Sequence, residues 1–167
     1  MWGLTILPSA LLALYSTLGF PELAPNSRRL YLATHAATAN DEAPLSDMDA
    51  QLATDLASSL SHIPLDVIAS SHWEASEETA RRIREHHKDS TLVMSHKLAT
   101  ESIETGLRQA FFNQNAKHVC LIANNSFQDS LFKSLNQDVQ EALFHVIDWC
   151  EQKNQWKLQT VQENQWA

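Results

Sequence analysis

Leu30-Tyr31-Leu32-Ala33-Thr34-His35-Ala36-Ala37-Thr38 is the stretch whose reading decides the fold. A short apolar run runs straight into a histidine with a threonine before it and another three residues beyond. Such a run, bounded by turn chemistry, reads as a buried strand. In an open α/β sheet, ligands and reactive groups gather at the carboxyl ends of the strands. His35 is therefore the first candidate functional residue, with Thr34 and Thr38 in its company.

Working outward, the chain alternates strand and helix. Ser46 is placed to cap a helix in which Met48, Leu52, Ala53, Leu56 and Leu60 recur at helical spacing, and Pro64 closes that unit. Asp66 to Ser71 reads as a second strand. The helix after it has Glu77 and Glu78 early and Arg81, Arg82 and Arg84 late, an order that suits the helix dipole. Thr91 to Met94 reads as a third strand and Thr100 to Asn113 as a helix. His118 to Ala123 is the clearest strand; it leads through Asn124-Asn125-Ser126 into a helix with Phe127, Leu131 and Leu135 inward. Leu143 to Trp149 and Trp156 to Val161 read as a hairpin with Trp149 facing Trp156. The expected fold is α/β: a three-layer α/β/α sandwich, its sheet mainly parallel with a C-terminal antiparallel hairpin at one edge.

Composition narrows the function classes. A chain of 167 residues, 44% hydrophobic and 19% charged, can bury the core of one ordinary domain. With three glycines it has no Gly-rich nucleotide loop. A formal charge of -8 argues against nucleic-acid binding, which needs Lys and Arg to neutralise phosphates. Cys120 and Cys150 are too few for a disulfide framework and lack metal-type spacing, so both read as reduced thiols in or beside strands. His72, His86, His87 and His96 offer no metal-binding geometry, and neither metal nor cofactor is expected.

Residues 1–25 form an apolar extension ahead of a domain spanning 26–167. Met1 to Phe20 holds no charged side chain. Neither a basic n-region nor a small-residue cleavage site is evident, and Pro8 and Gly19 shorten any membrane-spanning run below the roughly 20 residues a bilayer needs. Three readings stay open: a helix packed on the domain or on a partner, a poor signal or anchor, or upstream sequence outside the fold. A cytoplasmic location is expected, with membrane association or export through residues 1–25 as the alternative.

The strand ending in His35-x-x-Thr38, then Pro44-Leu45-Ser46, Gln51-Leu52-Ala53, Val67-Ile68-Ala69-Ser70-Ser71 and Glu78-Thr79-Ala80, in that order, resembles the histidine phosphatase (phosphoglycerate mutase-like) superfamily over roughly residues 29 to 162. The short length and closing hairpin are most similar to the compact bacterial phosphohistidine phosphatases. The resemblance implies a histidine nucleophile that is phosphorylated on its reactive nitrogen, with two arginines and a second histidine holding the phosphoryl oxygens. Positioning and electrostatics supply nearly all of the rate in such chemistry.

Residue by residue, His35 matches the nucleophile and Thr38 the motif threonine. Thr34 stands where the first arginine belongs, and Ala36 where glycine is usual. Ala75, with Glu74 beside it, occupies the place of the second arginine, and Asn124 that of the second histidine. His72, Arg28 and Arg29 are the candidates to compensate, whereas Arg81, Arg82, Arg84 and Lys88 read as a solvated helix face. Glu101 and Glu104 are positional candidates for the general acid. His35 can equally be read as a buried, hydrogen-bonded core residue, and Asn124 and Asn125 as helix caps.

The substitutions imply a degenerate phosphate pocket. The expectation is an impaired histidine phosphatase-like protein acting as a binding or regulatory module, recognising a protein or a phosphorylated ligand. The alternative is an active phosphohistidine or phosphomonoester phosphatase using His35 with compensating groups. A third possibility is a structural or membrane-associated protein whose apolar N-terminus carries the function.

Overall fold

The computed structural model describes residues 20, 23–34, 45–94, 115–123, 125–138, 144–150, 152–153 and 155–159. Nine elements follow in chain order: β1 (Ser27–Thr34), α1 (Asp47–Leu60), β2 (Val67–Ser70), α2 (Glu74–Arg84), β3 (Thr91–Met94), β4 (His118–Ala123), α3 (Asn125–Ser134), β5 (His145–Cys150) and β6 (Gln155–Gln159). The expected helix Thr100 to Asn113, together with Glu101 and Glu104, lies outside the described residues.

β1 begins three residues earlier than its apolar run. Pro25 and Asn26 make a turn in which Asn26 takes φ 61° and Ser27 N–H donates to Ala24 C=O at 3.1 Å. Proline at the first central position and asparagine at positive φ in the second are what such a turn demands. Arg28 and Arg29 are thereby drawn into the strand.

The six strands lie in the order β3-β2-β4-β1-β5-β6. β1, β2, β3 and β4 pair in parallel; β5 runs antiparallel to β1, and β6 antiparallel to β5. Alternation along the strands separates two cores. Leu30, Leu32, Val119, Leu121 and Ile147 pack with Phe127, Leu131 and Phe132 of α3 on one face. Tyr31, Ala33, Cys120, Ile122 and Val146 pack with Leu56, Ala57 and Leu60 of α1 and Ala80 and Ile83 of α2 on the other. The result is the expected three-layer α/β/α sandwich, with Trp149 opposite Trp156 and ring centroids 4.4 Å apart in the hairpin.

The helix ends follow local chemistry. Ser46 Oγ accepts from Asp49 N–H at 3.2 Å to cap α1. α3 stops in a Schellman turn: Asn136 has φ 53°, Gln137 N–H donates to Phe132 C=O, and Asn136 N–H donates to Lys133 C=O.

Not all of the apolar series of α1 faces the core. Met48 is 76% exposed, Leu52 45% and Leu56 3%; the buried stripe is Ala53, Leu56, Ala57 and Leu60. A spacing of four residues overshoots a 3.6-residue turn and moves about 40° round the helix at each step. The apolar series therefore slides out of the core toward the amino end. Among the described residues no helix is long and apolar enough to cross a membrane.

Candidate functional site at the carboxyl edge of the sheet

β1, β2 and β4 end side by side. Thr34 is the cross-strand partner of Ala123, and Ser70 that of Ile122. Ser71 N–H then reaches Ile122 C=O at 3.4 Å, which carries β2 one residue further, alongside Ala123. With strands about 4.8 Å apart, Thr34, Ala123 and Ser71 make a row of small residues across the sheet. Thr34 is half-buried, whereas Ala123 and Ser71 are fully buried.

α2 starts directly after this row. Its N-cap residue Trp73 supplies no side-chain capping bond. Ala75 is buried in the first turn, and Thr79 Oγ1 donates back to Ala75 C=O at 2.8 Å, so the motif threonine serves the helix. Ser76, which the sequence reading passed over, is also buried. Among the described residues neither Ser71 Oγ nor Ser76 Oγ has a hydrogen-bond partner. A small residue directly after Ala75 is the signal the sequence offers for Ser76.

Among the described residues the charges at this edge are acidic. Asp47, Glu74 and Glu77 lie in the first turns of α1 and α2, and Ser46 Oγ donates to Asp49. Thr34, Ser70, Ser71, Met94, Ala123 and those two first turns include no arginine or lysine. His72 is exposed beside Ser71 and meets the Trp73 ring edge-on at 6.1 Å between centroids. Thr34, His72 and Ala75 are thus brought to one edge. His35, Thr38 and Asn124 lie outside the described residues.

Arg28 and Arg29, expected as compensating groups, sit at the opposite end of β1. Five residues of strand, about 16 Å, separate Arg29 from Thr34. Arg29 is committed there: Nε donates to Asp148 Oδ1 at 2.7 Å and Nη2 to Oδ2 at 2.9 Å. Its Cζ stands 5.8 Å from the Phe20 ring centroid. Burial opposes its charge, but the Asp148 carboxylate outweighs that and raises its pKa further. The α2 arginines are engaged on their own side, Arg81 with Glu77, Arg82 with Glu78 and Thr54, and Arg84 with Ser90 C=O. Cys120 is a free, buried thiol whose pKa burial pushes up to about 12, which makes it inert at neutral pH.

A central parallel sheet with one helical layer on each face and an antiparallel hairpin beyond β1 is the architecture of the histidine phosphatase (phosphoglycerate mutase-like) superfamily, and the chain has that fold. It is similar to a protein assigned as phosphohistidine phosphatase SixA from Agrobacterium tumefaciens, with a TM-score of 0.57 and 18% identity over 78% of this chain and 94% of that one. It is also similar to the α-ribazole phosphatase of Shigella flexneri, with a TM-score of 0.63 and 14% identity over 80% and 95% of the two chains. Phosphoglycerate mutase from Bacillus anthracis gives a TM-score of 0.60 and 15% identity over 81% and 93%. No protein-family model matches the sequence, and no curated protein matches it. At such identities the likeness carries the fold alone.

Proposed function

We propose that this chain is a histidine phosphatase-like protein with impaired catalysis, working as a binding or regulatory module that recognises a protein or a phosphorylated ligand through the carboxyl-edge cleft. The observation that supports the reading is the acidic edge, among the described residues, around Thr34 and Ala75, which by the resemblance stand at the places of the two phosphate-holding arginines. Loss of one preorganised donor to a developing oxyanion costs about 3–4 kcal/mol of transition-state stabilisation. Threonine offers a hydroxyl and no charge, and alanine offers neither. Asn124 in place of the second histidine points the same way. Ligand affinity is correspondingly weak, because acidic side chains repel a phosphoryl dianion.

The second reading, an active phosphohistidine or phosphomonoester phosphatase with His35 as nucleophile, is favoured by His72, an exposed imidazole at the same edge. One assay separates the two. The purified chain and His35→Ala are incubated with a phosphohistidine-bearing protein and with an aryl phosphate. The module reading expects equal, background release from both proteins. Turnover that disappears in His35→Ala overturns it in favour of the enzyme.

A further inference from the structure

The amino edge of the sheet carries a row of charge that the sequence scatters over five places. In register across the strands, Arg29 of β1 stands opposite His118 of β4 on one side and Asp148 of β5 on the other, and Asp148 stands opposite Lys157 of β6. Asp66, immediately before β2, completes the row next to His118. Its Oδ2 accepts from the backbone N–H of Lys117 and His118 at 3.0 and 2.9 Å. The order is acid, imidazole, base, acid, base.

Hydrogen bonds tie its members together. Gln159 Nε2 donates to Asp148 Oδ2 at 2.9 Å. Arg29 donates twice to Asp148, and two residues along β1 it shares a face with Tyr31. The Tyr31 hydroxyl lies 3.2 Å from His118 Nδ1, in a ring stacked 25° from coplanar with Tyr31. It donates to Nδ1 when that nitrogen carries no proton and accepts from it when it does.

We propose that this charged row is a proton-operated latch on the terminal hairpin, closed while His118 is neutral and loosened when His118 is protonated. With His118 charged, Nδ1 can only donate, so the buried Tyr31 hydroxyl has to turn its own proton away from the imidazole, and two cations stand side by side in the row. Relief comes by moving Arg29, and Arg29 supplies two of the three side-chain bonds that hold Asp148. β5 and β6 reach the rest of the sheet only through β1, so the hairpin is the part released.

The groups facing His118 are Arg29 and Tyr31 from β1, Asp148 from β5, Asp66 ahead of β2, and Lys117 and Cys120 from its own segment. Burial lowers the His118 pKa below its usual 6.5; the two acids oppose this, and Arg29 and Lys117 reinforce it. A folded-state pKa below the unfolded one means that protons bind the unfolded or opened form better. Stability is therefore full above about pH 6.5 and falls as the pH drops below it. His87, whose pKa burial also lowers, adds a second loss with the same sign but away from the hairpin, where its Nε2 lies 2.9 Å from Leu60 C=O.

The test follows amide hydrogen exchange of Val146 to Cys150 and Gln155 to Gln159 against Ile68 to Ser70, from pH 7.5 to 5.5, corrected for intrinsic exchange, in the wild-type chain, His118→Gln and His87→Gln. Protection of the hairpin is expected to fall relative to β2, by about tenfold for each pH unit the imidazole pKa lies below its usual value. The relative fall should vanish in His118→Gln and persist in His87→Gln. Hairpin protection that does not change with pH, or a fall that survives in His118→Gln, overturns the latch. The second outcome would point to His145 on the opposite face of β5. Should His118→Gln fail to fold, NMR titration of wild-type His118 decides: hairpin shifts that share its midpoint support the latch, and a different midpoint overturns it.

Discussion

The two ends of this one sheet contrast sharply in charge. At the amino edge, Asp66, His118, Arg29, Asp148 and Lys157 line up across five neighbouring strand positions, with the Arg29 and Asp148 side chains only 7% and 15% exposed. At the carboxyl edge, the row is Thr34, Ala123 and Ser71. Related folds concentrate arginines at the second edge, according to the resemblance. Among the described residues the buried guanidinium joins strands at the amino edge, and the carboxyl edge holds hydroxyls, methyls, acids and the His72 imidazole. The difference teaches that the two ends of one set of strands can carry different chemistry while the packing between them is shared.

The largest effect should come from breaking the charged end. Arg29→Ala or Asp148→Ala strands a buried charge and is expected to cost about 3–5 kcal/mol in urea unfolding, whereas replacing both together by apolar residues of similar volume recovers most of that loss. A single-variant cost below about 1 kcal/mol would remove the contrast between the ends.

Charging the neutral end sharpens the comparison. Thr34→Arg places one guanidinium where the resemblance expects it, and a charge-assisted bond is worth about 1.5–3 kcal/mol. Binding of inorganic phosphate, followed by calorimetry, should tighten at least about tenfold. No gain would mean that the edge is closed to anions for another reason.

Smaller effects follow from the buried hydroxyls. Ser76 Oγ lacks a partner, so Ser76→Ala should stabilise the chain by about 1 kcal/mol in thermal or urea unfolding, since an unsatisfied buried polar group carries its full desolvation cost. Destabilisation instead would show that the hydroxyl is bonded. The smallest change is expected at the exposed end of the charged row: Lys157→Ala should stay within about 0.5 kcal/mol.

Most element positions were legible in the sequence because they rest on local chemistry. The β4 run His118 to Ala123, the Ser46 cap, and the Trp149 and Trp156 positions in the hairpin each depend on a few adjacent residues. Two features were not legible locally. The apolar spacing from Met48 to Leu60 drifts round the helix, so it does not say which of its members are buried, and Arg28 and Arg29, the candidates to compensate at the site, lie at the other end of β1. A strand turns closeness in sequence into distance: five residues carry Arg29 to the other end of the sheet.

At the candidate site the sequence alone determined which residue types the resemblance sets against the family's motif, Thr34 and Ala75 among them. It also determined the alternation that gives each strand two faces. Only the tertiary structure decided which strands are neighbours, and with that the row Asp66, His118, Arg29, Asp148, Lys157 and the contact between Tyr31 and His118. The physical reason is that a periodic pattern assigns a residue to a face but says nothing of its lateral partner. Pairing between strands is non-local, settled by how helices on both faces and a hairpin at the edge bury their apolar surface together.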